Sequence, residues 1–320
     1  MKRWPLSRFS ILSASFLIVA LLAACGQDST APPAPVSHTT VRGAALAWTP
    51  MDSPTSELLW SVWSAKDEVI AVGTSGTAVH LRNGVWSSKA SGVEGPLCDV
   101  WMGDDGSALA VGIGGVILRY SGNAWSAMNS GTTHDLFDVF AFNSGNAFAV
   151  GTGGTVLSLS GSTWSPVSVG TDVSLFGVWG SSPDSMVVVG VGGTVLRSGG
   201  GAWTFMDTPT PNNLSGVFGF SPNNVFAVGD VGTLLHFDGA EWKPMVAGTA
   251  ANLYAVHGVA ANDVWVAGAT GTLLHFDGGS WTASASGTDR DLFGVFARRT
   301  DSVYAVGDEG TILHYAAQSN

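Results

Sequence analysis

From residue 46 onward the apolar positions fall in short runs broken by glycine, and the same order of runs keeps returning. "GTLLHFDGAEW" (232–242) and "GTLLHFDGGSW" (271–281) lie 39 residues apart. The glycine that ends "AVG" and its relatives stands at Gly73, Gly112, Gly151, Gly190, Gly229, Gly268 and Gly307, always 39 residues from the next. A second glycine follows three residues later, and in six units a tryptophan ten residues after that, from Trp86 to Trp281. A fixed period of this length marks a repeat architecture.

Each unit reads as four short strands. In the fourth these are 175–180, 185–190, 193–198 and 202–206, separated by "SSPD", a Gly-x-x-Gly step and "GGG". Glycine supplies the positive φ that tight hairpins need. The second strands, such as "NVFAVG" and "DVWVAG", are apolar without alternation. A strand wet on one face alternates, whereas one buried on both faces does not. Each small sheet is therefore expected between two others.

The chain ends distinguish a closed ring from an open solenoid. The seventh unit stops at "GTILHYAAQSN", where the next tryptophan is due. Its missing strand stands at the other end, where "AWTPM" (Ala47–Met51) matches "AWTFM" and "EWKPM". A solenoid would need capping repeats with a polar outer face, and neither end carries one. The prediction is all-β: a single seven-bladed β-propeller of four-stranded blades over 46–316, its ring closed by an N-terminal strand completing the last blade. Trp48 is expected to pack in the sheet of residues 292–315.

Residues 1–24 differ from the rest. Lys2, Arg3 and Arg8 precede an apolar core from Phe9 to Ala24, which is the pattern of a secretory signal. It ends in "LAAC" (22–25), which resembles the bacterial lipobox, with Cys25 the lipidated residue. A proline- and serine-bearing stretch follows, read with Cys25 as a flexible tether over 25–45. Gly26 after the cysteine resembles the pattern of lipoproteins sorted to the outer membrane. The expected location is the bacterial envelope, with the membrane touched only through the anchor. The mature chain keeps ten bases against 24 acids, a charge of −14. That balance argues against nucleic acid as a partner. With Cys25 lipidated, Cys98 has no cysteine to pair with and reads as a buried, inert thiol.

"HFDGGSW" (275–281) and "HFDGAEW" (236–242) resemble Asp-box repeats, with one residue fewer between Asp and Trp than usual. The wider pattern resembles the BNR-like propellers grouped with photosystem II stability/assembly factors, over Ala47 to Tyr315. The resemblance implies the propeller and says little about function, since fold does not imply function.

Candidate chemistry is sparse. His80, His236, His275 and His314 share one third-strand position, too far from the axis to converge on a metal, and are expected to make structural hydrogen bonds. Sialidase chemistry needs three converging arginines, and Arg82, Arg119 and Arg197 lie in third strands. The Gly-x-x-Gly steps read as hairpins, and the acidic turns at Asp104–Asp105 and Asp308–Glu309 as solvated turns. No metal and no cofactor is expected. Trp63, Trp101, Phe140, Trp179, Phe218 and Phe296 recur in first strands and read as core or channel packing. The loops from each fourth strand to the next first strand vary most, so they are the expected binding face. Glu94, Asn212, Asn213, Asp289 and Arg290 are the candidates, expected on one rim and dispensable for stability. The function expected is a monomeric binding or assembly scaffold for an envelope protein or glycan. The alternative is a carbohydrate-active enzyme.

Overall fold

Seven antiparallel four-stranded sheets form the described part of the protein, and within each the strands follow chain order, except that the first strand joins the last sheet. A computed structural model describes residues 45–318; Cys25, the signal segment and the tether up to residue 44 lie outside the described residues. Strand β1 (Leu46–Pro50) comes first. Blade 1 is β2 (Leu59–Ala65), β3 (Glu68–Gly73), β4 (Ala78–Arg82) and β5 (Val85–Ser88). Blades 2 to 6 are β6–β9 (97–128), β10–β13 (136–166), β14–β17 (175–205), β18–β21 (214–244) and β22–β25 (253–283). Blade 7 is β26 (Leu292–Arg299), β27 (Ser302–Gly307), β28 (Ile312–Ala317) and, on its outer edge, β1.

The ring closes as the sequence predicts. Trp48 pairs with Tyr315 and Thr49 with His314 in the β1–β28 ladder. The Trp48 side chain is buried with Trp265, Leu273 and Leu313, between blades 6 and 7. Second strands are buried throughout, as Val69, Ile70, Ala71 and Val72 illustrate in β3. Apolar side chains from adjacent sheets interdigitate, so the core is a set of clusters between blades.

Blade 1 is one residue shorter than the others for a local reason. Ala65 pairs directly with Glu68 through a two-residue hairpin, with Lys66 at φ 50°. In blade 3 the same hairpin carries a bulge between Ala141 and Asn143, which takes up an extra residue.

Candidate binding face

Each repeat has two glycines because two loops press on the second-to-third strand turn. A Cβ at Gly73 would lie 1.9 Å from the Leu58 carbonyl oxygen, and one at Gly76 1.9 Å from that of Val93. Leu58 ends the loop entering blade 1, and Val93 belongs to the loop leaving it. The clamp recurs in every blade. In blade 7 it is Gly310 against Thr55 of the loop after β1, at 2.0 Å. The interblade loops and these turns therefore form one continuous face, as predicted.

Side chains at the ends of the loops reinforce the clamp. Asp135 accepts from Gly114 N at 2.8 Å, Asn252 from Val231 N at 2.9 Å and Asp291 from Thr270 N at 2.8 Å. Asn213 holds the same post: its Oδ1 accepts from Gly192 N at 2.9 Å and its Nδ2 donates to Asp230 Oδ2 at 2.9 Å. Asn212 Nδ2 donates to Thr233 Oγ1 at 2.9 Å. Arg290 pairs with Glu309 and donates to Thr311 Oγ1 at 3.3 Å. Glu94 and Asp289 are exposed. All five candidates lie on interblade loops of this face, yet they are spread around it. Asn212, Asn213 and Arg290 staple loops to turns, so their side chains are partly committed to structure.

Sequence reasoning missed the centre of the face. Every first strand begins with a bulge, as between Leu59 and Ser61 or between Leu292 and Gly294. The bulged residues are Trp60, Cys98, Phe137, Phe176, Ser215, Tyr254 and Phe293, each half-buried. They ring the mouth of the central channel. Tyr254 stacks on Phe293 (centroids 4.9 Å, 26°), and Phe293 meets Trp60 at 4.6 Å. Phe137 meets Phe176 at 5.5 Å. The signal was present as "LW", "LF" and "LY" opening five first strands. Cys98 lies at the bulge of β6, as expected in a strand, but is half-buried at this mouth rather than fully buried. Burial, with Asp99 and Asp135 nearby, pushes its thiol up to about 12, so it stays protonated and unreactive.

Beneath the mouth lies a layer with two acids, in which Ser61, Asp99 and Asp138 stand where later blades have Gly177, Gly216, Ala255 and Gly294. Asp99 accepts from Ser61 Oγ at 2.5 Å and from Val139 N at 3.0 Å. Asp138 accepts from Val178 N at 2.7 Å. The two carboxyls are close enough to influence each other, and desolvation raises both above the ordinary carboxylate range, Asp138 furthest. Two neighbouring half-buried carboxylates repel when both are charged, which favours the protonated form of Asp138.

Deeper still, aromatic rings line the channel. Phe140, Trp179, Phe218 and Phe296 take part, and His257 fills the position between the last two. Trp63 touches Phe296 at 4.7 Å and also His257, a further blade away, at 5.5 Å. His257 Nδ1 accepts from Ala297 N at 3.2 Å, and burial lowers the ring to about 3, so it is neutral at physiological pH.

The outer histidines are structural. Each bonds the residue twelve positions earlier, at the start of the second strand. His275 Nε2 bonds Asp263 Oδ1 at 2.9 Å, His236 Nε2 bonds Asn224 Oδ1 at 2.8 Å, His314 Nε2 bonds Ser302 Oγ at 3.1 Å and His80 Nδ1 bonds Glu68 Oε1 at 2.6 Å. The third-strand arginines are also occupied far from the axis. Arg82 grips Glu68, Arg119 donates to Ser144 O, and Arg197 lies over Phe237.

No family model matches the chain, and no curated protein matches it. Among solved structures it is similar to YCF48 from Cyanidioschyzon merolae, at 17% identity over 84% of this chain and 99% of that one, with a TM-score of 0.68. A structure of YCF48 bound to D1 peptide also matches, at 17% identity, 85% and 96% coverage and a TM-score of 0.70. So does virginiamycin B lyase from Staphylococcus aureus, at 9% identity, 85% and 99% coverage and a TM-score of 0.74. At these identities the likeness is one of fold: the chain is a seven-bladed β-propeller, similar in fold to YCF48.

Proposed function

We propose that the chain is a binding and assembly scaffold, anchored through lipid on Cys25 to a bacterial envelope, which captures a partner protein on its loop-bearing face. One observation carries this reading. Half-buried aromatic side chains, including Trp60, Tyr254 and Phe293, ring the channel mouth while a rigid, doubly clamped frame holds them in place. Aromatic groups presented on a preformed surface are the usual anchors of protein recognition. The structure of YCF48 bound to D1 peptide supports the reading, because that propeller holds a peptide.

The alternative is a carbohydrate-active enzyme, and its support is the Asp99–Asp138 pair. Both carboxyls already accept backbone N–H groups of a neighbouring blade, and an aromatic layer lies beneath them. A pair so engaged is suited to holding blades in register. The test is a pull-down from native envelope extract with the parent chain and with Tyr254→Ala plus Phe293→Ala. Loss of a specific partner from the double variant supports the scaffold. Undiminished capture, or cleavage of a soluble glycan by the parent, contradicts it.

A further inference from the structure

The charges around the mouth narrow the partner. Glu94, Asp172, Asp207 and Asp289 stand on interblade loops, and Asp308 and Glu309 on the turn of blade 7. Lys89 and Arg290 are the bases among the described residues of these loops and turns, and Arg290 is already paired with Glu309. The uncompensated acid is densest beside the aromatic arc. Tyr254 donates its hydroxyl to Asp291 Oδ2 at 3.3 Å. Burial, then Asp291 and Asp230, raise its phenol well above the ordinary value. Asp308 is raised too, by burial and then by Asp291 and Glu309. Arg290 offsets this only in part at Asp308. Apolar surface accompanies them, for Val231 is 63% and Val246 87% exposed on blade 5 of the same face.

We propose that this mouth, between the Trp60–Phe293–Tyr254 arc and the carboxylates Asp230, Asp291 and Asp308, takes a basic peptide segment: arginine or lysine side chains carried on an apolar stretch. The inference rests on the scaffold reading and specifies its partner. A guanidinium or ammonium group placed over the face of Tyr254, Phe293 or Trp60 meets the negative π-face of the ring. The flanking carboxylates accept its N–H groups and neutralise its charge. Apolar residues of the segment cover the half-buried rings. An acidic or phosphorylated segment would meet repulsion on every side, and specificity is built from such repulsion as much as from attraction.

The test uses the purified chain with two labelled synthetic peptides, one alternating leucine and arginine and the other alternating leucine and glutamate. Fluorescence anisotropy reads binding. The basic probe is expected to bind, to weaken about tenfold or more in Tyr254→Ala plus Phe293→Ala, and to weaken as salt rises. Asp308→Asn, which is isosteric, is expected to weaken the basic probe without lowering the melting temperature. Equal binding of both peptides, no binding of the basic one, or variants that bind like the parent would overturn the inference. A native partner captured on this face through a neutral or acidic segment would overturn it while leaving the scaffold intact. Glycan binding without peptide binding would overturn both.

Discussion

The indole Nε1 of Trp48 donates to Ser284 Oγ at 3.2 Å, a bond that spans 236 residues and ties the first described strand to the loop after blade 6. Trp48 also meets Trp265 edge-on at 5.4 Å and Tyr315 at 5.4 Å. Truncating a buried aromatic of this kind costs about 3–5 kcal/mol. Trp48→Ala is therefore expected to lower the unfolding free energy by about that much in a denaturant titration. Deleting residues 41–56 also strips the outer edge of β28, and an unpaired edge invites association. A deletion chain that stays monomeric and melts with the parent contradicts closure by this strand.

Val231 has φ 56°, a conformation that its counterparts Gly114, Gly153 and Gly192 adopt without a Cβ. A β-branched residue is strained there, at a cost of about 1–2 kcal/mol. Its side chain is exposed, so replacement loses little packing. Val231→Gly is expected to stabilise the propeller by about 1 kcal/mol, net of glycine's extra chain entropy. A drop in melting temperature contradicts the strain argument.

The Asp99–Asp138 pair makes stability depend on pH. Both carboxyls bind protons more tightly folded than unfolded. The stability they contribute is fully present below the ordinary aspartate pKa and is lost as pH rises through the raised folded values. Asp138→Asn keeps an acceptor for Val178 N and supplies Asp99 with a permanent donor. The variant is expected to melt higher than the parent at neutral pH and to match it near pH 3.8, the ordinary aspartate value. A variant that melts lower at neutral pH contradicts the raised carboxyl at Asp138.

Cys25 lies outside the described residues, and its role is tested chemically. Labelled palmitate is expected in the parent and absent from Cys25→Ser, which accumulates as precursor or released protein. Equal labelling of the two contradicts the lipid anchor.

The ring was legible because its physics is periodic. Glycines at which a Cβ would fall 1.9 Å from a carbonyl oxygen cannot vary, so the counterparts of Gly73 and Gly76 recur in every unit. Trp48 was legible because an orphan strand has only one place to pair. The channel mouth was hidden by the bulges. Simple alternation puts Trp60 on the same side of β2 as Val62, which faces blade 7 in the inter-blade core. The register shift between Leu59 and Ser61 turns Trp60 toward the axis instead. Asn213 misled for a different reason. It stands in a variable loop, yet its side chain does the repeated capping work that Asp135, Asn252 and Asp291 do elsewhere. Alanine at Asn212 or Asn213 therefore removes structural hydrogen bonds, whereas Glu94 and Asp289 remain exposed and free to be probed.

The central claim is that partners engage the loop-bearing face at the channel mouth. Photocross-linking in the native envelope tests it most directly. A photoreactive phenylalanine analogue is placed at position 176 or 293 at the mouth, at 289 on its rim, and at 222 or 261 in turns of the opposite face. The account predicts one shared adduct from positions 176, 293 and 289 and none from 222 or 261. Adducts confined to 222 and 261 would contradict it.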